Sequence, residues 1–157
     1  MTAVAVPDSS CLIGLEQIGL LWVLPSLFAQ VVAPPSVLGE AWPTLGVQPP
    51  WLRVERAEPA LPPPGLDTVF GLGEREVIGL ALAIAPDAVV LDDRDARRWA
   101  IRRGLPVVGT AGILLRAKTE GALPRLGPAL DRLREARFFL SDRLYRSMLA
   151  EAGEAAP

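Results

Sequence analysis

Residues Gly71–Gly121, GLGEREVIGLALAIAPDAVVLDDRDARRWAIRRGLPVVGTAGILLRAKTEG, alternate helix-length segments with short apolar runs, and that alternation decides the fold. GEREVIGLALAIA (73–85) has helical periodicity with acids in its first turn. AVVL (88–91) is a short β-branched run that ends on Asp92-Asp93. DRDARRWAIRRG (93–104) is a second helix that stops at a glycine, and LPVVG (105–109) is a second run. Thr110 is expected to cap a third helix that ends at Gly121. This α–β–α–β order implies a parallel sheet covered by helices on both faces. In such sheets a ligand lies beyond the carboxyl ends of the strands. Asp92 and Asp93 stand at one of those ends.

At 157 residues one domain is expected, over 1–150, with a frayed tail over 151–157. Hydrophobic residues make up 50% of the chain, which excludes a disordered one. A formal net charge of −2 carries no global signal for nucleic acid or an anionic membrane. Cys11 is the only cysteine, so no internal disulfide forms and a cytoplasmic location is expected. The absence of His excludes a His-based triad, a His–zinc site and an imidazole base. Acid–base or metal chemistry therefore rests on Asp and Glu.

Outward from the central stretch, AVAV (3–6) is a short strand, and no charged n-region of a signal peptide precedes it. Ser9 or Ser10 is the expected cap of a helix over CLIGLEQIG (11–19). LLWVLPSLFA (20–29) is apolar but broken by Pro25, and falls short of the ~20 residues a membrane span needs. QVVA (30–33) is a second strand, after which Pro34-Pro35 open a helix over PPSVLGEAW. Residues 43–66 are proline-rich, with WLRVE (51–55) a short strand and the rest ordered loop. Two amphipathic helices, PRLGPALDRLREAR and SDRLYRSMLAEAG, enclose FFL (138–140), which reads as a strand. Ser141-Asp142 cap the last helix.

Four acids are candidates for chemistry: Asp8 after the first strand, Glu40, Glu76, and Asp93 with Asp92 beside it. Clustered carboxylates without His make a hard-oxygen site suited to Mg²⁺ or Mn²⁺. Each acid also has a structural reading. Glu74 and Glu76 complement a helix dipole, Asp93 is a helix cap, and Glu40 is an exposed helix acid. Asp8 has no evident structural duty.

DSSCLIGLEQIGLLWVLPSLFAQVVAPPSVLGEA, GEREVIGLALA, VVLDDRDARRWAIRRGLPVVGTAGILLRAK and FFLSDRLYRSML together resemble PIN-domain proteins, in a branch that includes VapC-type toxins. The resemblance implies a three-layer α/β/α fold with a central, mainly parallel sheet. It implies an acidic pocket of Asp8, Glu40, Glu76 and Asp93 holding Mg²⁺ or Mn²⁺, with Asp92 as a further ligand. Thr110 would orient a phosphate or water. The chain departs from the common pattern at Pro7 and at Cys11, where relatives often carry proline.

Arg94, Arg97, Arg98, Arg102 and Arg103 crowd the helix that begins at the acids, and Arg116 and Lys118 lie on the next. Arg94, Arg97 and Arg98 are the candidate RNA contacts, since Arg suits phosphate forks; the plain alternative is a solvated helix face. Trp22, Trp42, Trp51 and Phe28 read as core or dimer contacts. The reading preferred here is a divalent-metal-dependent endoribonuclease that cleaves phosphodiesters with a metal-activated water, a toxin of a toxin–antitoxin pair. Its expected partners are RNA, a small antitoxin protein and a second copy of the chain, with the apolar helices of residues 12–28 as a dimer seam. The first alternative is a non-catalytic PIN module that binds RNA or a protein. The second is an unrelated doubly wound nucleotide domain, against which stands the lack of a glycine-rich loop after the first strand.

Overall fold

The computed structural model describes residues 3–61 and 71–154. Part of the expected proline-rich loop, residues 62–66, lies outside them. Among the described residues, five strands form one parallel sheet: β1 (Val4–Pro7), β2 (Gln30–Ala33), β3 (Leu52–Val54), β4 (Ala88–Val90) and β5 (Val107–Val108). Their spatial order is β3-β2-β1-β4-β5, and every pairing is parallel. The β-branched runs are buried because both faces of a parallel sheet are covered: β4 is buried throughout and β1 exposes only its first residue in part.

The described helices are α1 (Ser9–Gln17), α2 (Val23–Leu27), α3 (Pro35–Leu45), α4 (Leu72–Ile84), α5 (Arg94–Arg102), α6 (Thr110–Thr119), α7 (Gly127–Glu135) and α8 (Asp142–Glu151). Helices α1 and α2 pack with α6, and α1 also packs with α3, whereas α4 lies on β1 and β4 and α5 on β5. Helices α3 and α4 also pack on each other. From β1 the chain moves outward through β2 to β3, then returns to the other side of β1 for β4. The crevice between β1 and β4 is therefore the topological switch point, where open α/β sheets place their ligands.

Several boundaries differ from the sequence reading. Pro25 lies inside α2 at its third residue, and Pro43 lies inside α3, which runs on to Leu45. In α2 the first-turn N–H groups have no intrahelical acceptor, so proline costs no bond there. FFL is not a strand: residues 138–140 are a connection held by Phe138 N–H on the Leu133 carbonyl and by Arg134 Nη2 on the Leu140 carbonyl. Residue 154, in the segment expected to fray, is docked: its carboxylate accepts from Leu126 N (2.7 Å) and Gly127 N (2.9 Å). Residues 155–157 lie outside the described part. The expected dimer seam is largely occupied within the monomer, with Leu12, Leu15, Val23, Leu24 and Phe28 all buried in the core. No described helix is long and apolar enough to cross a membrane.

Candidate acidic site at the switch point

Backbone pairing between β1 and β4 continues past the strands as Asp8 N–H to the Val90 carbonyl at 2.9 Å, and then changes character. The next N–H, that of Asp92, donates to Asp8 Oδ2 at 3.1 Å, so a carboxylate replaces a backbone carbonyl in the ladder. The other oxygen, Oδ1, accepts from Cys11 N at 2.8 Å. Asp8 is thus the N-cap of α1, and Ser9 and Ser10 are its first helical residues instead of its cap. Asp8 has a structural duty after all. The departure at Cys11 matters here, since a proline would bring no N–H to that oxygen.

Asp92 is held from the other side. Its Oδ1 accepts from Thr110 N (2.9 Å) and its Oδ2 from Thr110 Oγ1 (2.6 Å). Thr110 is fully buried and begins α6, with Gly109 in the capping position, so its hydroxyl serves Asp92 and not its own helix. A Cβ on Gly109 would lie 3.2 Å from Asp92 Oδ1 and 3.0 Å from Arg97 Nη1. Glycine there lets the carboxylate and the guanidinium cross over bare backbone.

Burial governs the charge state of this pair. It is the first cause that raises Asp8, followed by the negative charge of Asp92 and, more weakly, that of Glu74. Its two backbone bonds oppose the rise, yet the carboxyl is pushed up to about 8. Asp92 is also raised by burial, against the two bonds from Thr110 and the charge of Arg97. The fully buried Cys11 thiol is pushed up by burial, then by Asp8 and Asp92.

The remaining expected acids are spread out. Glu40 is exposed on α3 and reaches back to Ser9, whose hydroxyl donates to its Oε2 at 3.0 Å. Its other oxygen rests over Gly73, where a side chain would collide with it. Glu40 thus bridges the starts of α1 and α4. Asp93 caps α5, accepting from Ala96 N at 2.9 Å. Glu76 lies beyond the first turn of α4, accepts from the Ser36 hydroxyl at 2.6 Å, and lines a separate cavity with Arg56 and Glu58. Glu74, read from sequence only as a dipole partner, is the acid of α4 whose charge reaches Asp8. Among the described residues no three Asp, Glu or Cys side chains stand close enough together to hold a metal ion. Among them too, Asp8, Glu40, Glu74 and Asp92 form no ion pair.

Beside the pair is a groove of about 930 Å³, lined by Asp92, Asp93, Glu74, Arg94, Arg97 and Arg98 among others. Arg102 and Arg103 do not line it, and Arg103 lies over the Trp99 ring. Arg116 pairs with Glu120 and stacks on Phe28, while Lys118 bonds the Pro124 carbonyl and pairs with Glu154. Phe28 belongs to the core, but Trp22 and Trp42 are 45% and 47% exposed.

Neither a curated protein nor a solved structure matches the chain. A family model described as a PIN domain (DUF3368) matches residues 4–154, and the chain belongs to the PIN-domain family.

Proposed function

We propose that this chain is a divalent-metal-dependent endoribonuclease whose acidic centre is the Asp8–Asp92 pair, with Glu40 and Glu74 at its flanks. PIN domains are in general nucleases that act on RNA with divalent ions. The observation that carries the reading for this chain is two adjoining, mostly buried carboxyls at the switch point, both raised and, among the described residues, without an ion pair. Such a pair is satisfied either by a proton or by a cation. The donor set fits Mg²⁺ or Mn²⁺, being all oxygen and anionic. Each carboxylate oxygen keeps a lone pair after its single hydrogen bond. Asp8 and Asp92 would hold the ion, completed by Glu40 or Glu74 once those side chains turn inward.

A bound divalent ion supplies Lewis acidity, easing deprotonation of water and neutralising charge on phosphodiester oxygens. Thr110 keeps Asp92 aimed through two donors, and Cys11 N–H does the same for Asp8. Arg94, Arg97 and Arg98 line the groove and supply positive charge for backbone phosphates. No side-chain nucleophile is required. The reading extends to a toxin opposed by a small antitoxin protein, to a homodimer and to a cytoplasmic site of action, all three on the family resemblance.

The second reading, a non-catalytic PIN module, is favoured by one observation: no described group of three carboxylates is assembled. Cleavage of single-stranded RNA separates the two. The nuclease reading expects cutting in Mn²⁺ or Mg²⁺ that EDTA stops. Binding of RNA without cutting in either ion would install the second reading.

A further inference from the structure

Phe139 is 88% exposed, the most exposed large hydrophobic side chain among the described residues, and it stands on a connection that is not loose. Arg137 turns the chain out of α7 with φ of 66°. Phe138 N–H then bonds the Leu133 carbonyl at 2.9 Å, and its ring packs over Gly14 of α1. Arg134 stacks on Tyr145 and holds the Leu140 carbonyl at 3.2 Å, while Ser141 caps α8. With Leu140 buried as well, the residues on either side of Phe139 are fixed and its ring is directed outward.

The same groove that Asp92 and Glu74 line is also lined by Arg97, Arg98, Phe139 and Leu144. Leu144 is 44% exposed. Arg97 and Arg98 form no ion pair among the described residues. An occupant that offers negative charge to Arg98, and to Arg97 beyond what Asp92 supplies, together with a flat apolar face to the ring, complements this part of the lining. Single-stranded nucleic acid has both, whereas a duplex keeps its base faces stacked inside. The apolar face of a protein helix would bring no negative charge to Arg98.

We propose that Phe139 is a stacking platform for a nucleobase of single-stranded RNA lying in this groove. It is a substrate-positioning residue that brings the backbone toward Asp92 and makes the site selective for unpaired RNA. The proposal rests on the ribonuclease reading and deepens it. The ring is held by its neighbours, so little ordering is required when a base arrives.

The test uses the full chain in EDTA, to suspend cutting, and a single-stranded RNA 12-mer with 2-aminopurine at every third position. Binding to wild type should quench the fluorescence, as stacking does. Phe139→Ala should weaken binding by about 5- to 150-fold, the range for loss of one base–aromatic stack, and reduce the quench. Phe139→Trp should restore both. The salt dependence should be unchanged in Phe139→Ala, because no phosphate contact is lost, but shallower in the Arg97→Ala, Arg98→Ala double variant. Affinity for a blunt RNA duplex should be equal in wild type and Phe139→Ala. Equal single-strand affinity and quench in wild type and Phe139→Ala would overturn the platform while leaving the nuclease reading intact. Failure of wild type both to bind the single strand and to cut it in Mn²⁺ would overturn both. Sedimentation of the same proteins addresses the rival occupant: a wild-type dimer that Phe139→Ala dissociates, with RNA affinity unchanged, would make this face a contact between copies.

Discussion

The amide of Asp92 donates to the carboxylate of Asp8 at 3.1 Å, so the two acids are joined through backbone across the switch point of the sheet. That bond has two consequences. It places the carboxylates of adjacent strand ends side by side, and it leaves their mutual repulsion to be relieved by protons or by a cation.

Stability should fall as pH rises. Asp8 is raised from 3.8 to about 8, so the folded chain binds this proton where the unfolded chain has released it. The favourable contribution is complete below about pH 4 and is lost as pH climbs toward 8. Melting curves from pH 5 to 8.5 in EDTA should show the decline, and saturating Mn²⁺ should flatten it. Free metal at tenfold its Kd adds about 1.4 kcal/mol, or roughly 2–4 °C in Tm for a domain of this size.

Metal binding should displace protons. With Asp8 pushed up to about 8 by burial and by Asp92, an ion that ligates it at pH 7 must displace its proton. Calorimetric titration of Mn²⁺ in buffers of different ionisation enthalpy should give proton release at pH 7 that fades by pH 9. Heat independent of buffer at pH 7 would place the ion elsewhere.

Asp93 should behave as a helix cap. Asp93→Asn should keep stability within about 0.5 kcal/mol and retain the Mn²⁺ shift, since Asn caps about as well, while Asp93→Ala costs about 1 kcal/mol. Loss of the Mn²⁺ shift in Asp93→Asn would return Asp93 to the metal.

Glu154 titrates in the opposite sense from Asp8. The Leu126 N–H is the first cause that lowers it, assisted by Gly127 N–H and the charges of Lys118 and Arg125. Its contribution is present above the ordinary Glu range and is lost as pH falls through the lowered value. Glu154→Ala should cost about 1 kcal/mol at pH 7, because α7 has no other side-chain cap, and much less at pH 3. Urea titrations at the two pH values measure this.

The strands and their α/β alternation were legible because β-branched runs between helices have few other meanings, and the strand ends brought Asp8 and Asp92-Asp93 into view. What eluded the sequence is phase. A strand end known to within one residue does not decide whether Asp92 or Asp93 faces the crevice, and the start of α5 assigns Asp93 to the cap. Glu74 and Glu76 differ by ~200° around a helix, so the acid that faces Asp8 depends on where α4 begins. Phe138 and Phe139 look equivalent as a pair; only the turn at Arg137 and the anchors on Leu133 and Leu140 separate a packed ring from an exposed one. Prolines misled for a simpler reason. A helix tolerates them in its first turn, and α3 carries Pro43 near its end.

The most direct test of the account is RNA cleavage by three proteins: wild type, Asp92→Asn and Glu76→Gln. Each is given end-labelled single-stranded RNA in Mn²⁺, with an EDTA control. Wild type should cut only with metal. Asp92→Asn should lose more than ~100-fold, since disturbing even a partner of a metal ligand costs ~10–100-fold. Glu76→Gln, altered two residues from Glu74 but bonded to Ser36 in a separate cavity, should cut within a few-fold of wild type. Full activity in Asp92→Asn together with loss in Glu76→Gln would contradict an acidic centre built on Asp8 and Asp92.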